Sequence, residues 1–257
     1  MNIKYNVVVF GDLPVATKVV QYLQTLGNIN IFVVIGNKAP NNNDPWIDTP
    51  LLSDYASQNK LNVISLIDIA EKYEDSFFTL GLSCRFSRII KPDVLKKFKN
   101  GILNMHGGLL PEFGGLYSVN HTLLSHSGIC GGTIHYIDNT IDTGEIVKRA
   151  EFRVEDDDTA YSLFQKTQLA LADAMIETIP NALLSKIKGV THEEMVAKGY
   201  VKHYYDKHSL DGKKEISVSD VGTEKAMYVI RAFDFPGYEP AYLFNEKGQK
   251  VYLRVKY

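Results

Sequence analysis

Asn104 and His106 lie two residues apart at the end of the apolar run GILNMH, so on a strand both side chains point to one face. Asp142 follows in the turn-rich stretch IDNTIDTGEI, behind a second apolar run able to carry the chain back toward the histidine. A side-chain amide can donate to a carbonyl oxygen that is gaining negative charge. An imidazole can move a proton, and a carboxylate can orient that imidazole and raise its basicity. These are the parts of an acyl transfer. Two roles stay open for His106: as a neutral ring it takes a proton from an attacking amine, and as a cation it helps hold the oxyanion.

A single Asn or His at a strand end more often just satisfies nearby backbone groups, so the weight rests on the joint pattern. His135 alternates with apolar neighbours and reads as structural. His121 and His126 fall on an expected helix and carry no chemistry of their own. Other motifs fail. The turn FGDLPVA has one glycine where a dinucleotide fingerprint needs three, and no GxxxxGK[ST] phosphate loop or GxSxG elbow occurs. His192-Glu193-Glu194-Met195 lacks the second histidine of a zinc protease, and Asp156-Asp157-Asp158 reads as an acidic helix start. Cys84 and Cys130 form no CxxC or Cys/His cluster, so neither a metal site nor a disulfide framework is expected.

Positioning these residues requires a framework, and periodicity supplies one. YNVVVF (5–10) and INIFVVI (29–35) read as buried strands flanking a helix over 14–26. Helices near 50–59 and 66–73, a short strand at 61–64, and strands at 77–82 and 101–106 continue the alternation. That order predicts an α/β fold with a Rossmann-like, mostly parallel sheet and ligands at the carboxyl ends of its strands. From 128 to 153 two longer strands flank the Asn139–Gly144 turn. A helix is expected from about Asp158 to Thr178, stopping before Pro180. Residues 1–185 read as the main domain. Residues 186–257 read as a smaller, more polar and irregular C-terminal region, ending in a β-hairpin around Glu246-Lys247-Gly248.

The 257 residues are 45% hydrophobic, enough for a buried core, and the net charge of −2 offers no broad attraction to nucleic acid or anionic membrane. No apolar run approaches the roughly 18 residues of a membrane helix, and MNIKYNVVVFGD has no signal-peptide core. A cytoplasmic protein without membrane or nucleic-acid partners is expected.

Asn104-Met105-His106, Leu109-Leu110-Pro111 and Gly114-Gly115, then Gly132-Thr133, His135 and Asp142-Thr143-Gly144, together resemble the signature of the formyltetrahydrofolate-dependent formyltransferases. The resemblance covers about residues 1–180. It implies 10-formyltetrahydrofolate as formyl donor and places the family's functional Asn, His and Asp on Asn104, His106 and Asp142. By family position, Ser83, Cys84, Arg85 and Phe86, with Asp138, Asn139 and Thr140, flank the folate. Arg85 and Arg88 are candidates for its glutamate tail. One departure is visible: members acting on initiator tRNA carry an Arg-rich stretch after the Leu-Pro, where this chain reads EFGGLYSVN.

Within the family, DPWIDTPLLSDYA, GGLYSVNH and AFDFPGYEPAYLF resemble the sugar N-formyltransferases, in particular those acting on dTDP-4-amino-4,6-dideoxyhexoses. That implies a nucleotide-linked amino sugar as acceptor, such as dTDP-4-amino-4,6-dideoxyglucose, a role in O-antigen or surface polysaccharide synthesis, and a homodimer joined through the C-terminal segment. Tyr117, Asn120, Tyr205, Phe235 and Tyr238 are the candidate substrate contacts, the aromatics by stacking worth about 1–3 kcal/mol per base. Lys202, Lys207 and Arg231 are candidates for the diphosphate, and Trp46 reads as packing under its loop. Alternatives are a formyltransferase for glycinamide ribonucleotide or an aminoarabinose nucleotide, a hydrolase releasing formate, and a non-catalytic folate- or nucleotide-binding module.

Overall fold

The computed structural model describes residues 5–36 and 43–255. The chain runs β1 (Tyr5–Gly11), α1 (Pro14–Thr25), β2 (Ile29–Ile35), α2 (Leu52–Gln58), β3 (Asn62–Val63), α3 (Leu66–Lys72), β4 (Leu80–Ser83), α4 (Pro92–Leu95) and β5 (Ile102–His106). It continues with β6 (Gly114–Gly115), α5 (Ser118–Leu124), β7 (Ile129–Tyr136), β8 (Ile146–Arg153) and α6 (Ala160–Leu184). The C-terminal elements are α7 (His192–Ala197), β9 (Tyr204–Tyr205), α8 (Glu224–Phe233), β10 (Ala241–Phe244) and β11 (Lys250–Leu253).

Continuous apolar runs become central strands because both faces of a parallel sheet are covered. Val7 to Phe10 of β1 are fully buried, and β1 pairs in parallel with β2 and β4. The sheet order is β3-β2-β1-β4-β5-β7-β8, parallel through β5 and antiparallel at the β5–β7 and β7–β8 pairs. The change of direction at β5 brings two chemistry-bearing strands side by side, with Asn104 opposite His135 and His106 opposite Thr133.

The sequence-derived elements recur with three differences. The strand expected at 77–82 begins only at Leu80, because Phe77 and Phe78 pack as an aromatic cluster with Tyr73, and Phe78 stacks on Phe98. The helix expected to stop before Pro180 runs on to Leu184. Ile179, Ala182 and Leu183 continue its buried face into the main core, and the Asn100 amide donates to the carbonyls of Ala182 and Leu183 at the helix end. Packing therefore outweighs the backbone hydrogen bond that proline cannot make.

The third difference lies in the stretch read as irregular, which holds α7 and, further on, the longer helix α8. Helix α8 is capped by Thr223, whose side chain accepts from Ala226 N. Ala232 and Phe233 of α8 pack with Val119, Leu123, Leu163 and Ala241, so the C-terminal elements share a core with α5 and α6. Among the described residues no helix is long and apolar enough to cross a membrane.

Candidate active site

Thr133, fully buried on β7, donates to the Gly108 carbonyl at 2.7 Å and accepts from Leu110 N at 2.9 Å. Those bonds tie the loop that follows His106 to the neighbouring strand. The loop then turns Phe113 back so that its carbonyl lies 2.7 Å from His106 Nε2. A carbonyl only accepts, so Nε2 carries the proton and Nδ1 of the neutral ring is unprotonated. Nδ1 faces Asp142 Oδ2 at 3.5 Å. A proton placed at Nδ1 would face that carboxylate oxygen.

Asp142 sits in left-handed backbone, at φ 55°, and its Oδ2 accepts from Gly115 N at 2.9 Å. Gly115 permits this approach: at φ 85° its backbone lies against β9, and a Cβ there would stand 2.2 Å from the Tyr205 carbonyl oxygen. Asn104, His106 and Asp142 are thus joined through one framework of β5, the loop after it and the β7–β8 connection.

The sequence reading missed what His135 does. Its Nδ1 donates to the Tyr136 carbonyl at 2.9 Å, which leaves Nε2 to accept from Asn104 Nδ2 at 3.1 Å. Burial pushes its pKa down to about 4, with the charge of His106 acting in the same direction, so the ring is neutral near pH 7. One N–H of the Asn104 amide is therefore spent on His135 and the other is held in a fixed direction. Alternation with apolar neighbours signalled burial correctly; it carried no sign of the cross-strand partner.

His106 opens into a cavity of about 540 Å³. Tyr117, Asn120, Phe235 and Tyr238 line it, whereas Tyr205 does not. Tyr205 lies instead flat against His121, with ring centroids 3.6 Å apart and planes 11° from parallel. Pairing of β9 with β6 turns it there. Of the three lysine and arginine candidates for the diphosphate, Lys207 lines the cavity. Arg231 is buried and donates to the carbonyls of Asp158 and Glu155, so it acts as a cross-brace.

The residues expected around the folate separate. Ser83 and Cys84 are buried, burial raises the Cys84 thiol pKa far above the usual range, and Phe86 packs on Phe10 at 5.6 Å. Arg85 turns to the large cavity, with its Nη1 on Asp44 Oδ1 at 2.8 Å and its guanidinium 5.1 Å from the Phe164 ring centroid. Burial pushes the Asp44 carboxyl up, and Arg85 opposes that shift. Asp138 accepts from Thr140 N and Thr143 Oγ1 and braces its own loop. It also lines a separate recess of about 330 Å³ with Tyr136, Ile137 and Thr143. Asn139 and Thr140 are exposed.

A protein-family profile described as formyl transferase matches residues 5–179, and the chain belongs to that family. Its fold is the one seen in solved formyltransferases. Among curated relatives, the bifunctional polymyxin resistance protein ArnA of Wigglesworthia glossinidia brevipalpis is 28% identical over 144 residues, 56% of this chain and 22% of that protein. A methionyl-tRNA formyltransferase of Bacillus velezensis is 29% identical over 118 residues, 46% of this chain and 37% of the relative. The chain therefore spans well under two thirds of the length of either.

Solved structures match over more of its length. A 4-N formyltransferase from Francisella tularensis has a TM-score of 0.76 at 18% identity, covering 98% of this chain and 97% of that one. The N-formyltransferase of Helicobacter canadensis, in complex with folinic acid and dTDP-3-aminofucose, has a TM-score of 0.75 at 21% identity, covering 95% and 85%. A phosphoribosylglycinamide formyltransferase from Bacillus halodurans reaches a TM-score of 0.55 at 18% identity, covering 76% and 97%. At these identities the likeness is one of fold.

Proposed function

We propose that this chain transfers a formyl group from 10-formyltetrahydrofolate to the amine of a nucleotide-linked amino sugar, with dTDP-4-amino-4,6-dideoxyglucose or a close relative as acceptor. The carrying observation is the opening of His106, backed by Asn104 and Asp142, into a cavity whose far walls bear aromatic rings and cations. Its volume lies in the range of small-molecule sites. Tyr117, Phe235 and Tyr238 can stack on a base, while Arg85 and Lys207 can meet a diphosphate. The coverage of the solved structures supports a sugar acceptor over glycinamide ribonucleotide. The enzyme solved with dTDP-3-aminofucose matches 95% of this chain, C-terminal elements included, against 76% for the ribonucleotide enzyme.

In this reading the neutral amine attacks the formyl carbon and the carbonyl electrons move onto oxygen. The free N–H of Asn104 donates to that oxygen, a stabilisation realised mainly in the transition state. His106 takes the amine proton at Nδ1, where Asp142 stabilises the resulting cation, and the ring returns a proton to the departing folate nitrogen. The products are a formamide and tetrahydrofolate. The proposal extends to a cytoplasmic homodimer joined through the β10–β11 hairpin, where Phe244, Val251 and Tyr252 are exposed.

The test is incubation of purified protein with 10-formyltetrahydrofolate and a panel of nucleotide amino sugars, following product mass. Formylation of a dTDP-linked 4-amino sugar is expected. Formyl transfer only to glycinamide ribonucleotide, or formate release with no acceptor present, would overturn the reading.

A further inference from the structure

Helix α6 runs along the large cavity and marks positions within it. Phe164, Gln168 and Leu171 all line the wall and recur at i, i+4 and i+7, so they share one helical face. Leu171 marks the reacting end. It packs so tightly on β7 that a Cβ on Gly132 would lie 2.5 Å from its Cγ, and it shares a core with Met105, which adjoins His106 on the cavity wall. Phe164 marks the other end, under the Arg85 guanidinium. At 1.5 Å rise per residue, Gln168 stands about 4.5 Å along the axis from Leu171 and about 6 Å from Phe164.

Gln168 does not suit its surroundings. Its neighbours on the buried face of α6 include Leu163, Leu171, Ala172 and Met175, and it is itself only 4% exposed. Among the described residues its side-chain amide has no hydrogen-bond partner, although it borders the cavity. A ligand that fills the cavity strips water from an amide carrying two donors and an acceptor, so a glutamine at this position fits a ligand whose own polar groups pair with it. Asn120, also on the cavity wall, is already committed through its Nδ2 to the Ala232 carbonyl.

We propose that Gln168 is a specificity-determining residue that hydrogen-bonds a ring hydroxyl of the amino-sugar acceptor, one helical turn along the cavity from the reacting end. A hydroxyl offers one donor and one acceptor and is neutral, matching a side-chain amide in an apolar wall. The assignment rests on the amino-sugar reading of the cavity. It adds that the acceptor bears a hydroxyl beside the amine-bearing carbon and that the enzyme discriminates against the deoxy counterpart.

The experiment compares wild type and Gln168→Met on two nucleotide amino sugars that differ only in that hydroxyl. Wild type is expected to favour the hydroxylated acceptor in kcat/KM. Gln168→Met should lose about 10–100-fold on it and much less on the deoxy compound, so that the preference collapses. An unchanged preference, or equal losses on both acceptors, overturns the assignment; Gln168→Leu repeats the comparison if the methionine variant does not fold. Dissociation constants for both sugars, measured without formyl donor, separate this inference from the formyl-transfer reading. A collapsed affinity ratio in a protein that transfers nothing sustains Gln168 and sinks the transfer. Active transfer with an unchanged ratio does the reverse.

Discussion

At the scale of residues, hydrogen-bond capacity decides the roles. The Phe113 carbonyl fixes the His106 tautomer, and Asp142 faces the ring nitrogen left without a proton. Asn104→Ala is expected to lower kcat by about 10²–10³, with a smaller change in KM, because its donor acts chiefly in the transition state. His135 works through Asn104 as a positioning residue. His135→Ala should lower kcat while leaving nucleotide-sugar affinity near wild type, and a matched loss of affinity would point to general unfolding of the site.

His135 also makes a signed prediction for stability. Its folded pKa lies near 4, below the ordinary histidine value of about 6.5, so between those values the unfolded chain binds the more protons. Its contribution is therefore complete above about pH 6.5 and is lost as pH falls toward 4. Urea midpoints at pH 7 and pH 4.5 should differ more for wild type than for His135→Gln; equal differences would remove His135 as the cause.

At the scale of elements, the β5–β7 reversal and α6 do most of the positioning. The antiparallel register sets Asn104 against His135, and Thr133 anchors the loop that brings Phe113 to His106. Replacing Thr133 with Val strands two buried backbone groups and is expected to cost about 1–3 kcal/mol. Helix α6 passes through Pro180, which is exposed. Pro180→Ala restores a backbone donor in the helix interior, and an increase of about 1–3 kcal/mol is expected from urea unfolding. A lowered midpoint would show that the helix depends on its proline.

At the scale of the whole molecule, the cavity exists because the C-terminal elements close over the sheet domain. Val119 and Leu123 of α5, Leu163 of α6, Phe233 of α8 and Ala241 of β10 form one buried cluster, and Arg231 ties α8 to the carbonyls of Glu155 and Asp158. Unfolding should therefore be a single transition, coincident by circular dichroism and by the fluorescence of the lone tryptophan, Trp46. Two separated transitions would show that residues 186–257 fold on their own. Substitution of Arg231 with Ala takes the donor from the buried Asp158 carbonyl and should lower the midpoint sharply.

Local pattern was sufficient for the order of strands and helices, the largely parallel sheet, and the choice of Asn104, His106 and Asp142 as candidates, because periodicity and short motifs are properties of neighbouring residues. Tertiary structure alone decided the rest. Pairing across strands made His135 the partner of Asn104, and a loop carbonyl chose the His106 tautomer. The seating of β9 on β6 removed Tyr205 from the cavity wall, and the left-handed turn at Arg85 carried that cation to the wall of the large cavity. Each of these depends on groups far apart in the chain meeting at hydrogen-bond distance. Distances of that kind are set only when the core packs, and no spacing along the sequence encodes them.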